Sequence, residues 1–302
     1  MPSHEQPGVT PGGSSDAPGV GGSATMRSLL EQTSAVIGSP HEARWLCEVA
    51  TSLDGPEFDE VLDEPATVRM VAHLDAMVAR YRGGEPLQYV LGRWSFRHLD
   101  LAIDRRVLIP RPETEVVAGV AIGLAAEIPG PRTVADLGTG SGAIGLSMAQ
   151  ELPVDGTTVW MTDVSEDALD VARANLAGIG RAASNVRIGA GSWFEALPEQ
   201  ERFDVIVSNP PYVADGSPLL ESSVLEWEPA RALFAGADGF DDIRVLVSGA
   251  GVRLRRGGWL VLEIGADQGR AVSDLLIDHG FVDVEIRPDF AGHDRVAIGR
   301  TQ

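Results

Sequence analysis

The chain has 302 residues, 44% of them hydrophobic and 23% charged, which is the composition of an ordinary soluble globular protein long enough for two domains. Its 44 acidic residues outnumber 24 basic ones, all arginine, and the net charge of -20 disfavours generic nucleic-acid binding because it would repel a phosphate backbone. The single Cys47 excludes a disulfide scaffold and a cysteine-rich metal site, and its helical surroundings predict a buried filler. No stretch approaches the roughly 20 apolar residues that span a bilayer, so no membrane association is expected.

The N-terminal part combines a polar tail with a helical pattern. Residues 1–25 are rich in glycine, proline and serine and resemble no targeting segment, so we predict a disordered tail and a cytoplasmic protein. Residues 26–98 are predicted to form a small helical domain. Within it, Ser39-Pro40-His41-Glu42 supplies a cap, a first-turn proline and a capping-box acid. The periodic stretch Val68–Tyr81 is predicted to end at Gly83-Gly84.

The pattern changes after a short linker. Residues 99–114 are predicted as a hairpin and linker, because alternation over Leu99–Ile109 leads into two prolines. Residues 115–302 alternate strand-like and helical stretches, which predicts an α/β, doubly wound, Rossmann-like domain with a parallel sheet and a C-terminal β-hairpin. The predicted strands are Thr133–Leu137, Thr158–Thr162, Val186–Ile188, Phe203–Ser208, Trp259–Ile264, Val282–Arg287 and Arg295–Gly299.

A glycine-rich loop follows the first strand of this domain. The loop Gly138-Thr139-Gly140-Ser141-Gly142 precedes a helical stretch, so its backbone can approach a ligand closely at a helix N-terminus. Together with Gly145, it also satisfies the G-x-G-x-x-G pattern that cradles the pyrophosphate of a dinucleotide. A tight turn without any ligand is a further interpretation. The loop therefore indicates a nucleotide-like cofactor without saying which one.

Two further positions at strand ends suit a nucleoside. Asp163 ends the second strand, where a carboxylate can accept hydrogen bonds from both ribose hydroxyls. S-adenosylmethionine and NAD both carry such a ribose. The alternative is that Asp163 only caps the helix beginning near Glu166. Trp193 and Phe194, after the third strand, can border an adenine or belong to the core.

The tetrapeptide Asn209-Pro210-Pro211-Tyr212 follows the fourth strand directly. A planar nitrogen nucleophile carries N–H donors that the Asn209 side-chain oxygen and the Pro210 carbonyl can accept together. The prolines stiffen that carbonyl's position, and the Tyr212 ring can pack against the substrate plane. A plain turn that ends the strand is the competing interpretation.

The predicted topology brings these features together. In a doubly wound sheet the loops after strands one and four lie side by side at the carboxyl edge, where ligands bind. The tetrapeptide therefore faces the cofactor, which suits direct transfer of a methyl group to a planar nitrogen and has no obvious use in hydride transfer. The glycine loop, Asp163 and the tetrapeptide together resemble class I methyltransferases that use S-adenosylmethionine and modify planar nitrogens.

Additional strings narrow the resemblance to the HemK/PrmC family of release-factor glutamine methyltransferases, over nearly the whole chain from residue 26. These strings are Pro86-Leu87-Gln88-Tyr89, Phe96, Leu108-Ile109-Pro110-Arg111-Pro112-Glu113-Thr114-Glu115, Glu228-Pro229 and Arg295-Val296-Ala297-Ile298-Gly299-Arg300. The most specific are the Ile-Pro-Arg-Pro-Glu-Thr-Glu string and Asn-Pro-Pro-Tyr. The resemblance implies methylation, by S-adenosylmethionine, of the side-chain amide nitrogen (N5) of glutamine in the Gly-Gly-Gln loop of class 1 peptide chain release factors. S-adenosylhomocysteine is the implied product.

The same resemblance implies roles for individual residues. Gly138 to Gly142, Asp163, Trp193 and Asn209 would bind the methyl donor, and Asn209 to Tyr212 would hold the glutamine, with Asn209, Pro210 and Tyr212 as the catalytic set. Residues 26–98 would help to dock the partner protein. We expect no metal, no general base and no covalent enzyme intermediate, and structural roles for His279 and His293.

Other functions remain open. An adenine N6-methyltransferase acting on nucleic acid can use a similar pocket, although the acidic balance speaks against it. A ribosomal-protein glutamine methyltransferase differs only in its docking surface. Two further alternatives fit the sequence less closely. One is an NAD oxidoreductase, and the other is a protein-docking module that retains a donor-binding fold without catalysing transfer. A local basic stretch can contact an acidic partner or pair internally with Asp100 and Asp104; it comprises Arg93, Arg97, Arg105, Arg106 and Arg111.

Overall fold

The computed structural model describes residues 24–217 and 221–302. It divides the chain into two units after Val78, inside helix α4. The prediction of a disordered tail lies almost wholly outside the described residues, although Thr25 is seen as the N-cap of the first helix. The four helices at this end of the chain are α1 (Met26–Ile37), α2 (Pro40–Thr51), α3 (Gly55–Glu60) and α4 (Val68–Arg82).

The first unit confirms the predicted cap and first-turn proline of α2. Ser39 precedes α2, and its hydroxyl accepts a hydrogen bond from the backbone N–H of Glu42 at 3.4 Å. Leu46 and Phe58 are fully buried in this unit, and Cys47 is buried as predicted. Helix α4 ends at Arg82, immediately before Gly83-Gly84. The prediction that this end of the chain is helical is therefore confirmed as far as Arg82.

The second unit contains a hairpin that differs from the predicted one. After α5 (Leu87–Leu91), strand β1 (Arg93–Phe96) pairs antiparallel with β2 (Leu99–Ala102). The hairpin predicted over Leu99–Ile109 is therefore wrong, because Leu99–Ala102 is its second strand and the turn contains Arg97, at φ 51°. Residues 103–111 form no strand, since side chains rather than a neighbouring strand bind several of their backbone groups.

A seven-stranded sheet forms the centre of the second unit. Its strands are β3 (Arg132–Leu137), β4 (Thr157–Asp163), β5 (Val186–Ala190), β6 (Phe203–Ser208), β7 (Leu254–Glu263), β8 (Val282–Pro288) and β9 (Asp294–Arg300). The order is β5-β4-β3-β6-β7-β9-β8, with β3 to β7 parallel and β9 antiparallel to both neighbours. This confirms the doubly wound sheet and its C-terminal hairpin.

Helices cover both faces of the sheet. One apolar layer joins Val134 and Val159 to α6 (Pro112–Ala126), α7 (Ala143–Glu151) and α8 (Glu166–Gly178). The other layer joins Ala135 and Ile206 to α10 (Asp241–Arg253) and α11 (Gly269–Asp278). The short helix α9 spans residues Ser222–Trp227. Neighbouring residues of one strand thus serve opposite layers, as the pleat requires.

The chain reverses its direction of winding between β3 and β6. Strands β4 and β5 lie on one side of β3, whereas β6 and β7 lie on the other. Leu137 pairs with Ser208, so β3 and β6 end level with each other. Such a switch point opens a crevice outside the carboxyl ends of the strands. No helix among the described residues is long and apolar enough to cross a membrane.

Candidate active site

A cavity of about 410 Å³ lies at this switch point. Its walls include eight of the eleven residues predicted for the site: Gly138, Thr139, Gly140, Ser141, Asp163, Trp193, Asn209 and Pro211. The other three, Gly142, Pro210 and Tyr212, do not line it. The structure therefore brings the glycine loop and the tetrapeptide to one cavity, as the topology predicts.

The glycine loop has a backbone that only glycine adopts easily. Gly138, Gly140 and Gly142 have φ of 71°, 56° and 89°. A side chain at Gly138 would also lie 3.2 Å from Cζ3 of Trp193, so the indole ring packs against the loop. Both the loop and the ring line the cavity.

Asp163 joins the glycine loop to the end of β4. Its Oδ2 accepts the backbone N–H of Gly140 at 2.9 Å, and its Oδ1 accepts that of Ser165 at 2.9 Å. The N-cap of α8 is Ser165, whose hydroxyl accepts from Ala168 N–H. Asp163 is thus not the helix cap, and each carboxylate oxygen retains acceptor capacity for a ligand.

Asp136 is a cavity residue that sequence reasoning left without a role. Its Oδ2 accepts from the Thr139 hydroxyl at 2.5 Å and from Gly145 N–H at 2.8 Å, whereas its buried Oδ1 has no partner. Burial raises the pKa of this carboxyl to about 6. Its sequence signal is an acid between the apolar residues Ala135 and Leu137 of β3. A free acceptor in a cavity wall suits a cationic group such as the α-ammonium of S-adenosylmethionine.

Buried side chains of α6, β7 and the residues after β7 hold the tetrapeptide in place through hydrogen bonds. Asn209 Nδ2 donates to the hydroxyl of Thr114 at 3.2 Å, and that hydroxyl donates to Glu263 Oε2 at 2.7 Å. The Tyr212 hydroxyl donates to Glu263 Oε1 at 3.2 Å, and Gln268 Nε2 donates to the Tyr212 carbonyl at 3.1 Å. Tyr212 is bound to Glu263 through its hydroxyl and does not line the cavity. Packing of its ring on the substrate plane therefore stays a prediction.

Glu263 is a second residue without a predicted role. It is only 1% exposed, and burial raises its pKa to about 7. Its sequence signal is an acid at the end of the apolar run Trp259–Leu262. Nothing in that run identifies its partners, which come from α6 and from the loop after β6.

Another wall of the cavity is the irregular segment before α6. The Tyr89 hydroxyl donates to the Val107 carbonyl at 2.6 Å. Buried Glu228 accepts the Ile109 N–H at 3.1 Å and forms an ion pair with Arg111. Three strings that carried the family resemblance therefore hold this wall in place.

The basic stretch pairs mainly within the chain. Ion pairs join Arg93 to Asp100, Arg97 to Glu151, Arg106 to Asp104 and Arg111 to Glu228, and Arg105 lies over the Trp227 ring. Internal pairing, the simpler of the two interpretations, is confirmed.

The two histidines expected to be structural contact neighbouring groups of the chain. His279 contacts the Leu275 carbonyl and His293 lies near Asp289. Over residues 24–217 and 221–302, no three His, Cys, Asp or Glu side chains cluster as a metal site would require.

Comparison with known proteins identifies the family. The "Methyltransferase small domain" family matches residues 123–224, and the "PrmC N-terminal domain" family matches residues 25–92. By fold, the chain resembles the hMettl16 catalytic domain in complex with a 3′UTR hairpin, with TM-score 0.52 and 15% identity over 77% of this chain and 81% of that one.

Sequence relatives are closer. The release factor glutamine methyltransferase of Xylella fastidiosa is 44% identical over 79% of this chain and 84% of the relative. That of Vibrio cholerae is 40% identical over 80% of this chain and 81% of the relative. This chain belongs to the family of release factor glutamine methyltransferases.

Proposed function

We propose that this enzyme transfers the methyl group of S-adenosylmethionine to the side-chain amide nitrogen (N5) of the glutamine in the Gly-Gly-Gln motif of class 1 peptide chain release factors. One observation carries the proposal. A single cavity is lined by the glycine loop and Asp163 and also by Asn209 and Pro211. Family membership and the named activity of the relatives support the same function.

The donor would be held by residues of strands β3 to β5 and their loops. The positive φ of the loop glycines lets the backbone approach the ligand, and Asp163 retains acceptors for the ribose hydroxyls. Asp136 Oδ1 offers an acceptor for the α-ammonium, and Trp193 lines the cavity. When bound, S-adenosylmethionine supplies an electrophilic methyl group on a sulfonium and leaves as S-adenosylhomocysteine.

The acceptor glutamine would be held by the tetrapeptide. An amide nitrogen is a weak nucleophile because its lone pair is shared with the carbonyl, so its orientation decides the rate. The Asn209 side-chain oxygen, in the cavity wall, can accept one of its N–H groups, and the Pro210 carbonyl, although Pro210 does not line the cavity, is the acceptor predicted for the other. Together they would aim the nitrogen lone pair at the methyl carbon. The methylated nitrogen then loses one proton to solvent. Since proton loss follows methyl transfer, this mechanism requires no general base.

The choice of partner rests on charge and family. The net charge of -20 disfavours nucleic acid as substrate, and we infer a protein partner met in the cytoplasm. The domain division is part of the proposal: a tail (1–25), a docking domain (26–98), a linker (99–114) and the transferase domain (115–302).

The test is direct methylation of a release factor. The full chain is incubated with S-adenosylmethionine and an unmodified release factor, and peptide mass spectrometry locates the added methyl group. We expect it on the Gly-Gly-Gln glutamine, with a rate about 100-fold lower for Asn209→Ala. Asp170→Ala, at an exposed position of α8, is the matched control and should match the wild type. An unmodified glutamine despite measurable donor binding would contradict the proposal and direct the search to ribosomal proteins or RNA.

A further inference from the structure

A chain of hydrogen bonds runs from Asn209 through Thr114, which also lines the cavity, to the buried Glu263, which does not. We propose that Glu263, acting through Thr114, is a positioning residue that fixes which atom of the Asn209 amide faces the substrate. This inference rests on the proposed function, in which the Asn209 oxygen accepts an N–H of the glutamine.

The direction of the first hydrogen bond follows from charge. An ionised carboxylate has only acceptors, so the hydrogen of the Thr114 hydroxyl must point toward Glu263 Oε2, 2.7 Å away. The other carboxylate oxygen accepts the Tyr212 hydroxyl at 3.2 Å. Both oxygens of Glu263 are therefore engaged by hydroxyl groups that donate to it.

The direction of the second bond follows from the first. Once its hydrogen is committed to Glu263, the Thr114 oxygen can only accept, so the group facing it must be the Asn209 Nδ2, at 3.2 Å. The flipped amide would set two acceptors against each other. Asn209 Oδ1 is consequently the atom left for the cavity, which is the orientation that an N–H donor of the substrate needs.

The ionised state of Glu263 depends on its surroundings. Burial favours the protonated acid, whereas the hydrogen bonds from Thr114 and Tyr212 and the charge of Arg295 favour the carboxylate. Arg295, from β9, also contacts the Tyr212 hydroxyl at 3.4 Å, and the charge of Glu113, from α6, opposes ionisation. The balance leaves the pKa at about 7. A proton on Oε2 of Glu263 makes that oxygen a donor, turns the Thr114 hydrogen away from it, and removes the constraint on Asn209.

The first experiment reads the amide itself. The chain contains only three asparagines, Asn175, Asn185 and Asn209, so asparagine labelled with ¹⁵N gives three side-chain amide signals, and Asn209→Ala assigns the one of interest. We expect that signal to move in Thr114→Val, which lacks the hydroxyl, and to stay in place in Thr114→Ser. In the wild type it should titrate with a midpoint near the Glu263 pKa, and Glu263→Gln should abolish this titration. Asn185, whose side chain has no hydrogen-bond partner, is the internal control.

The second experiment measures turnover on a Gly-Gly-Gln peptide. We expect Thr114→Val to lower kcat at least about tenfold with the KM for S-adenosylmethionine unchanged, and Thr114→Ser to recover it to within about threefold, as loss of alignment predicts. Equal amide signals and equal kcat in the valine and serine variants would overturn the inference while leaving the function intact. An amide signal that behaves as expected in a protein that leaves the glutamine unmodified would refute the proposed function alone.

Discussion

The pH dependence of stability gives a quantitative test of how strongly the buried Glu263 carboxylate destabilises the protein. Its pKa is raised from 4.5 to about 7 by burial. An acid with a raised pKa in the folded state contributes stability that is fully present below the unfolded pKa and is lost as pH rises through the folded value. The complete loss is about 3 kcal/mol, of which about 2 kcal/mol falls between about pH 5.5 and about pH 8.5.

Glu263→Gln replaces this carboxyl by a neutral group of nearly the same shape, so its contribution should not change with pH. Urea unfolding of both proteins across that range should show the wild type losing about 2 kcal/mol relative to the variant, or roughly 4–8 °C in melting temperature. Asp136, whose pKa burial also raises, titrates in both proteins and cancels in the difference. A difference in unfolding free energy that stays constant over this range would refute the reasoning.

Three further changes test separate contacts. Asp163→Ala should weaken the binding of S-adenosylhomocysteine about 10- to 100-fold in calorimetry, since charge-assisted hydrogen bonds to the ribose are lost; unchanged affinity would refute the ribose assignment. Gly145→Ala places a Cβ 2.4 Å from Met161 Cγ, so urea unfolding should show a loss of about 1–3 kcal/mol in unfolding free energy. Gly123→Ala is the control: its Cβ would have no atom within 4 Å, so the substitution should be neutral or stabilising. Tyr89→Phe leaves a buried carbonyl without its hydroxyl donor and should lower unfolding free energy by about 1–2 kcal/mol; an unchanged value would mean that this hydrogen bond adds nothing.

The sequence predicted that the glycine loop, Asp163, Trp193 and Asn209 meet at one cavity because each lies at or shortly after the end of a strand. The loop after β3, Asp163 at the end of β4, Trp193 after β5 and Asn209 after β6 follow one another along the chain. In a parallel sheet such positions meet at one edge, so recognising the strands was sufficient to bring the residues together.

The support behind the site was not predictable in the same way. Thr114 and Glu263 are 149 residues apart, and Ile109 and Glu228 are 119 apart. Their pairing depends on how α6 and the segment before it pack against the sheet, and no local pattern encodes that. The misplaced hairpin has a related cause, because alternation over Leu99–Ile109 reports burial: Leu99–Ala102 pairs with β1, whereas Val107 and Ile109 are buried by packing without a partner strand.

Acidic side chains at the carboxyl edge therefore serve two different purposes. Burial raises the pKa of both Asp136 and Glu263, so their charges destabilise the free protein. Asp136 lines the cavity with Oδ1 unpaired, and under the proposed function a cationic donor offsets its burial. Glu263 does not line the cavity, and each of its oxygens has a partner within the protein, Thr114 or Tyr212, so its charge is stabilised from within the protein. Under the proposed function, an oxygen without a partner thus distinguishes Asp136, which would bind the donor, from Glu263, which would orient Asn209, although each acid lies within the last two residues of its strand.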